Sequence, residues 1–538
     1  MMHVLWTAAV VLGQAAGEPD LRTAAERTEY RETSTHAEIV RVLDGISAGS
    51  KVATRVSLGS TTDGKDLAAI VLADPPVRTA PEARAQADAT GKIIVVAIGN
   101  IHAGEVEGKE ALTMLARDIA AGGGGTGGGA ILKGAIVLIL PIYNADGNEP
   151  MSPTNRPHQN GPAAVGVRAN ARGRDLNRDF IKIEEAETRA LVACFNDWDP
   201  HVFIDCHTTD GSYHRYGITY AGPKSPAGDQ SLVAYSRDTF LPALSLAVEA
   251  STGKPTFWYG SFEGEFDAGP RGHSRWETFP ADARFGTTYA GLRGRLSILS
   301  EAYVYDPFEE RVENTRDFVR VALELAAENR ATLRTLTSEA DRRAIEAGHT
   351  LGEPDDLVAI RWKVVPSAKP VRVLGYEEEV VDGKSVRTDR TREYECELWD
   401  TYVPELSVVR PWGYALPDTA DTRAAIEAIR RHGLKAWTLK VASEAEVERY
   451  EVVSATPASR EFEGHVLVTS EVKASRGKRE VPAGWVVVPT GQALGNLAVY
   501  MLEPQCNDGL AAWNAFDPWM QAGKEFPVWR LMSPVGPE

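Results

Sequence analysis

The sequence predicts an α/β fold, a mixed β-sheet flanked by helices, followed by a β-rich C-terminal domain. Three observations carry that prediction. Continuous apolar runs recur at "KIIVVAIGN" (92–100), "AIVLILPIYN" (135–144), "HVFIDCH" (201–207) and "LSILSEAY" (296–303), the pattern of strands buried on both faces. Helical patterns lie between them, at 105–120, 182–197 and 230–250, and strands alternating with helices build a layered domain. From about residue 350 the texture turns to β, in "LVAIRWKVV", "KPVRVLGYEEEVV", "REYECELWDTYV" and "GWVVVPT".

Taken in order, the first 17 residues, "MMHVLWTAAVVLGQAAG", join an apolar stretch to small residues at Ala15–Gly17. They read as a signal for export to the periplasm or the extracellular space, although the leading segment carries no Lys or Arg. Nothing else approaches the roughly 18 to 20 apolar residues of a membrane span. Thr35 with Glu38 three residues on is a capping box opening a short amphipathic helix. "SKVATRVSLGSTTDGKDLAAIVLAD" reads as two strands around a Gly-rich turn. The tract "GGGGTGGG" (122–129) reads as a flexible surface loop; it precedes a strand and lacks the GK[ST] ending of a phosphate cradle. Residues 307–348 read as one long charged helix closing a first domain, 18–348. A second domain, 349–538, is rich in strands, has one helix at 421–433 stopped by Gly433, and carries no metal-binding or acidic motif of its own.

A chain of 538 residues exceeds a single compact core. Its 43% hydrophobic and 25% charged residues are those of a soluble globular protein. A net charge of −17, with no long Lys/Arg block, argues against a nucleic-acid partner. The four cysteines are far apart and form no C-x-x-C pair. They read as buried thiols, with one bridge left open, and not as a disulfide framework or a zinc ribbon.

Ligands of open α/β sheets bind beyond the carboxyl ends of the strands, and there the unusual polar residues fall. His102 and Glu105 follow strand 92–100, His207 ends strand 201–207, and Glu301 sits inside an apolar run where a charge is costly without a partner or a task. A catalytic zinc takes three protein ligands and keeps one position open. His102-x-x-Glu105 supplies two from one strand-to-helix turn, His207 a third, and Glu301, kept off the metal, is placed to act as base. Each residue alone reads as a helix start or a structural histidine; the joint pattern carries the metal reading. The loop "VRANARGRDLNRDF" (167–180) adds Asn177 and Arg178, suited to a substrate carboxylate, and Arg168, suited to a developing oxyanion. Glu107 and Glu110, on the helix that follows, read as solvated charges.

His102-Ala-Gly-Glu105, Asp175-Leu-Asn177-Arg178, His207 and Glu301, in this order and with comparable gaps, resemble the zinc carboxypeptidases. The resemblance covers roughly residues 25 to 330. It implies one zinc per chain on His102, Glu105 and His207, with Glu301 as general base acting on a zinc-activated water. It further implies that Asn177 and Arg178 clamp the free C-terminal carboxylate of a peptide substrate. Arg168, ten residues before Arg178 as in the regulatory branch of the family, would polarise the scissile carbonyl, and Asp175 would orient His102. The sequence departs from the family at the mobile tyrosine expected upstream of the catalytic glutamate. Phe279 stands near that spacing, and Tyr289 is the candidate substitute for closing over the substrate. An amide hydrolase of the same fold acting on cell-wall peptides or acylated amino acids is the alternative, and a non-catalytic zinc-binding, peptide-recognising scaffold a further one. An intact Glu301 argues against the last. His214, just past His207, reads as a cleft residue and not as a ligand.

Overall fold

The computed structural model describes residues 20–122, 128–209, 211–264, 272–349 and 356–536. Residues 1–17, read as an export signal, and residues 123–127 of the glycine tract lie outside them. The N-terminal part forms β1 (Ala53–Ser60), β2 (Asp66–Leu72), β3 (Ile93–Gly99), β4 (Ala135–Leu140), β5 (Val202–Thr209), β6 (Ile218–Ala221), β7 (Thr256–Trp258), β8 (Ser261–Phe262), β9 (Arg275–Glu277) and β10 (Leu296–Tyr303). Eight of these make one sheet in the order β1-β2-β4-β3-β5-β10-β6-β7. Its centre, β4-β3-β5-β10, is parallel, while β1, β2 and β6 join antiparallel to their neighbours on the β4 and β10 sides. The mixed sheet expected from the apolar runs is therefore present, and every residue of β3, β4, β5 and β10 is buried.

Burial on both faces requires a layer on each side. One face is covered by the helices His36–Gly49, Glu107–Ala120, Leu241–Thr252 and Phe308–Glu328, which close a core around Ile39, Leu112, Leu241 and Phe318. The first of these begins at the Thr35–Glu38 capping box, with both reciprocal hydrogen bonds made. The other face is covered by the helices Ala80–Thr90, Ala186–Trp198 and Gly286–Leu292 and by the C-terminal region itself.

That region contains β11 (Leu357–Val365), β12 (Val371–Val381), β13 (Lys384–Trp399), β14 (Thr401–Val409), β15 (Gly413–Leu416), β16 (Trp437–Thr438), β17 (Ser443–Pro457), β18 (Val468–Val481), β19 (Val486–Pro489) and β20 (Trp529–Leu531). Six of these form the sheet β16-β19-β15-β20-β17-β18. A four-stranded sheet, β12-β13-β9-β8, takes two strands from each part of the chain, and one hydrophobic cluster runs from Phe195 and Phe203 through Tyr289 to Tyr414, Met501 and Trp513. The β-rich segment is thus continuous in packing with the α/β layer.

Three details differ from the sequence reading. The long helix of 307–348 is two helices, Phe308–Glu328 and Arg330–Ala347, because Asn329 leaves helical ψ and turns its side-chain amide onto the Leu325 carbonyl at 2.9 Å. The end of the glycine tract, Gly128–Gly134, is helical, with buried Gly128 so close to Ile119 that a Cβ would lie 3.0 Å from its Cα. Glu107 and Glu110 are not solvated. Glu107 pairs with the fully buried Arg311 at 2.7 Å, and Glu110 accepts hydrogen bonds from the Thr33 hydroxyl and from the Ser34 amide and hydroxyl. All four cysteines are buried free thiols.

Candidate metal centre and cleft

The parallel register brings the strand-end residues together. Glu301 on β10 lies opposite His207 on β5, and Gly99, the last residue of β3, lies opposite Cys206. Beyond Gly99 the chain turns through Asn100, whose side-chain amide holds the carbonyls of Ala103 and Glu105 at 3.2 and 3.1 Å. His102 and Glu105 point back over the sheet end. The helix that follows approaches β5 closely because Gly108 has no side chain; a Cβ there would lie 2.8 Å from that of Cys206.

His102 Nδ1 lies 2.9 Å from Glu105 Oε1, His207 Nδ1 lies 3.1 Å from Glu105 Oε2, and the two Nδ1 atoms are 3.3 Å apart. Each imidazole turns its Nε2 outward to a carboxylate, His102 to Asp175 at 3.1 Å and His207 to Asp205 at 2.9 Å. Those partners select the tautomer with the proton on Nε2 and leave both Nδ1 lone pairs facing the Glu105 oxygens. Three buried electron-pair donors that converge in this way repel one another unless a cation sits among them. Two imidazoles and a carboxylate are the donor set that suits zinc, and these three residues form the one group able to hold a metal ion among the described residues.

Charge is compensated around the three. Burial works to raise the Glu105 pKa, but His102, Arg156 and His207 outweigh it and hold the carboxyl well below its usual range. Burial works to lower His207, but Asp205 and Glu105 outweigh it and push its pKa well above the ordinary value, so the carboxylates draw positive charge to this point, whether a proton or a metal ion. Asp175, also raised by burial, is pulled well down by His102, Arg168 and Arg178.

A cleft of about 300 Å³ opens beside the three groups, with Glu301, Arg168, Asn177 and Arg178 on its walls. Arg168 is held by Asp175 Oδ2 through Nε at 3.0 Å and Nη2 at 2.8 Å, and its Nη1 lies 3.6 Å from Glu105. Asn177 Oδ1 accepts from Gly286 N at 2.9 Å, which leaves its NH2 as the group it can offer a ligand. Arg178 stacks its guanidinium 4.5 Å from the Phe285 ring centroid and lies 3.7 Å from Asp175. Burial lowers the Arg178 pKa against the opposing charge of Asp175. The structure therefore gathers eight of the nine residues singled out from sequence.

Tyr289 is the exception, and its assignment as a substrate-closing residue is corrected. It is fully buried on the helix Gly286–Leu292, facing the core shared with the C-terminal region. Its hydroxyl donates to His432 Nδ1 at 2.8 Å and accepts from Arg293 at 3.0 Å. Replacing Tyr289 with phenylalanine is expected to lower stability by about 1–2 kcal/mol and to leave kcat and KM unchanged; thermal unfolding and steady-state kinetics on the same preparation check both. The aromatic residues that do reach the cleft are Tyr259, Phe279 and Phe285. Of these Phe279 stands near the expected spacing, whereas Tyr259, in the run "TFWYG", had no signal to separate it from core. Arg156, 3.1 Å from Glu105 and 3.2 Å from the Thr208 carbonyl, was equally silent. His214 is a core histidine, pushed down to about 3 by burial and accepting from the Tyr216 amide.

The loop from Phe279 to Gly286, one wall of the cleft, is held from the C-terminal region. The Tyr402 hydroxyl donates to the Phe279 carbonyl at 2.7 Å, the Ala283 amide donates to the Tyr500 hydroxyl at 2.9 Å, and the Arg284 amide donates to Asp508 at 2.7 Å.

The family model described as zinc carboxypeptidase matches residues 39–356. Carboxypeptidase 2 of Trichophyton equinum is 24% identical over 452 residues, spanning 80% of this chain and 75% of that protein. Carboxypeptidase D of Mus musculus is 34% identical over 135 residues, 23% of this chain and 10% of its own. Among solved structures, a metallo-carboxypeptidase from Burkholderia cenocepacia aligns with a TM-score of 0.41 and 18% identity, covering 56% of this chain and 70% of the other.

Proposed function

The chain belongs to the zinc carboxypeptidase family and is a metallocarboxypeptidase, and on that premise we propose that it removes C-terminal residues from peptides at the cleft between β3, β5 and β10. The observation that carries this reading is the convergence of His102, Glu105 and His207 beside Glu301, in a cleft walled by Asn177 and Arg178. A zinc ion held by the three converging groups supplies Lewis acidity, raising the acidity of water and polarising a carbonyl.

The chain's own residues do the rest. Asn177 and Arg178 hold the terminal carboxylate of the substrate, the guanidinium as a charged fork and the amide as a second donor. That grip fixes which peptide bond lies beside Glu301. Glu301 takes a proton from the attacking water and returns it to the leaving amine, so one carboxylate serves as base and then as acid. Arg168, braced by Asp175, faces the oxygen that gains charge as the carbonyl is attacked. Asp175 and Asp205 fix the tautomers of His102 and His207 and so keep both Nδ1 atoms inward. Residues 18–348 carry the reacting groups and residues 349–538 brace them. Residues 1–17 support export, and no helix among the described residues is long and apolar enough to cross a membrane.

A mixed peptide library incubated with the protein, with and without a chelator, tests the reaction by mass spectrometry. Single residues lost from C-termini only, with loss abolished by the chelator and restored by zinc, are the expected result. Internal cleavage, or cleavage indifferent to the chelator, overturns the reading.

A further inference from the structure

We infer that Glu463, from the C-terminal region, is a positioning residue for the carboxylate clamp, acting on it through the backbone of Asp175. The inference rests on the reading of Asn177 and Arg178 as that clamp. Phe462 and His465 exchange both backbone hydrogen bonds, at 2.8 and 3.0 Å, closing a two-residue turn over Glu463 and Gly464. Both of those residues have left-handed φ, 52° and 83°. Such turns favour Asn-Gly, and a glutamate at positive φ is uncommon. The Arg174 guanidinium lies over Gly464, 2.3 Å from where a Cβ would stand, so the turn is seated against the loop that carries the clamp.

The glutamate has a use that an asparagine would not fulfil. Its longer side chain reaches in, and Oε2 accepts the Asp175 amide at 2.9 Å across 288 positions of sequence. Asp175 is the hub of the clamp: Oδ1 accepts the Asn177 amide at 2.8 Å and faces His102 at 3.1 Å, while Oδ2 holds Arg168 and lies 3.7 Å from Arg178. Fixing the Asp175 amide fixes where that carboxylate points, and through it the angles at which Asn177 and Arg178 meet a ligand. The turn is itself anchored, because His465 bridges Glu184 and Asn514 at 3.0 Å each. The negative charge of Glu463 also favours the charged form of Arg178. Glu463 thus combines a left-handed backbone with a specific inward contact, the pairing from which a positioning role is inferred.

Kinetics on a peptide with a free C-terminal carboxylate test this. Glu463→Ala is expected to raise KM about tenfold, with a smaller fall in kcat because the same Asp175 carboxylate also holds Arg168 and His102. Glu463→Gln keeps an acceptor oxygen for the Asp175 amide, and its KM is expected to stay within about threefold. Melting temperatures of both are expected to stay within about 3 °C of the parent. A purely structural role instead lowers the melting temperature and kcat together and gives no rescue by glutamine. Arg178→Gln, run alongside, separates two failures. If it leaves KM unchanged, the clamp reading fails and this inference with it; if it raises KM while Glu463→Ala does not, Glu463 has no positioning role and the clamp stands. Should the alanine variant not fold, Glu463→Asp, which keeps the charge but shortens the reach, decides the matter: a raised KM supports the role and a parental KM overturns it.

Discussion

Replacing Glu301 with glutamine is expected to lower kcat by two to four orders of magnitude, about the worth of a positioned general acid–base, while one zinc per chain is retained. Glutamine matches the side chain in size and removes only the ability to take a proton. Glu301 lines the cleft beside the three converging groups but contributes no atom to them, so metal content by mass spectrometry is expected to match that of the parent. KM is expected to change little, because the residue acts on the attacking water and its loss is felt in the transition state. A variant that keeps substantial turnover would remove Glu301 from the mechanism. One that loses its zinc would instead place Glu301 among the ligands.

The largest effect on stability is expected at Arg311. Its side chain is fully buried. Nε donates to Glu107, Nη1 to the carbonyls of Asn160, Val304 and Asp306, and Nη2 to that of Gly161. Truncation to alanine leaves the fully buried Glu107 carboxylate without its partner and several carbonyls without their donor, a loss of about 3–5 kcal/mol. Denaturant unfolding of Arg311→Ala measures it. The double variant Arg311→Met, Glu107→Gln is expected to recover part of the loss, since the unpaired charge, more than the missing attraction, dominates. A loss under about 1 kcal/mol would mean that water reaches the pair in solution. The pair ties the helix beginning just after Glu105 to the segment leaving Glu301, so its loss is also expected to loosen the mouth of the cleft.

The candidate site was legible because its residues break local rules. A carboxylate inside "LSILSEAY" and polar side chains at the ends of apolar strands are costly placements, and cost without local compensation is visible in one dimension. What stayed hidden is compensated at a distance. Glu107 looks like any helix-surface acid, and its partner lies 204 positions on. Glu110 looks the same, and its hydroxyl and amide donors come from Thr33 and Ser34. Tyr289 shows the converse error: a tyrosine near an expected spacing carries no sign of the His432 that holds it inside, 143 positions away. The apolar runs placed the central strands and the capping box placed a helix start, because those signals are local. The break at Asn329 escaped notice because a single amide turned on its own backbone disturbs no periodicity.

The hold on the Phe279–Gly286 loop bears on the order in which the cleft is built. Two backbone amides of that loop, at Ala283 and Arg284, find their acceptors on Tyr500 and Asp508. During synthesis the strands that lead into His102 and His207 leave the ribosome early, yet the Ala283 and Arg284 amides meet their acceptors only when Tyr500 and Asp508 follow. Domains generally fold as units as they emerge. Here the order of emergence leaves this wall of the cleft without its acceptors until residues 500–508 have followed.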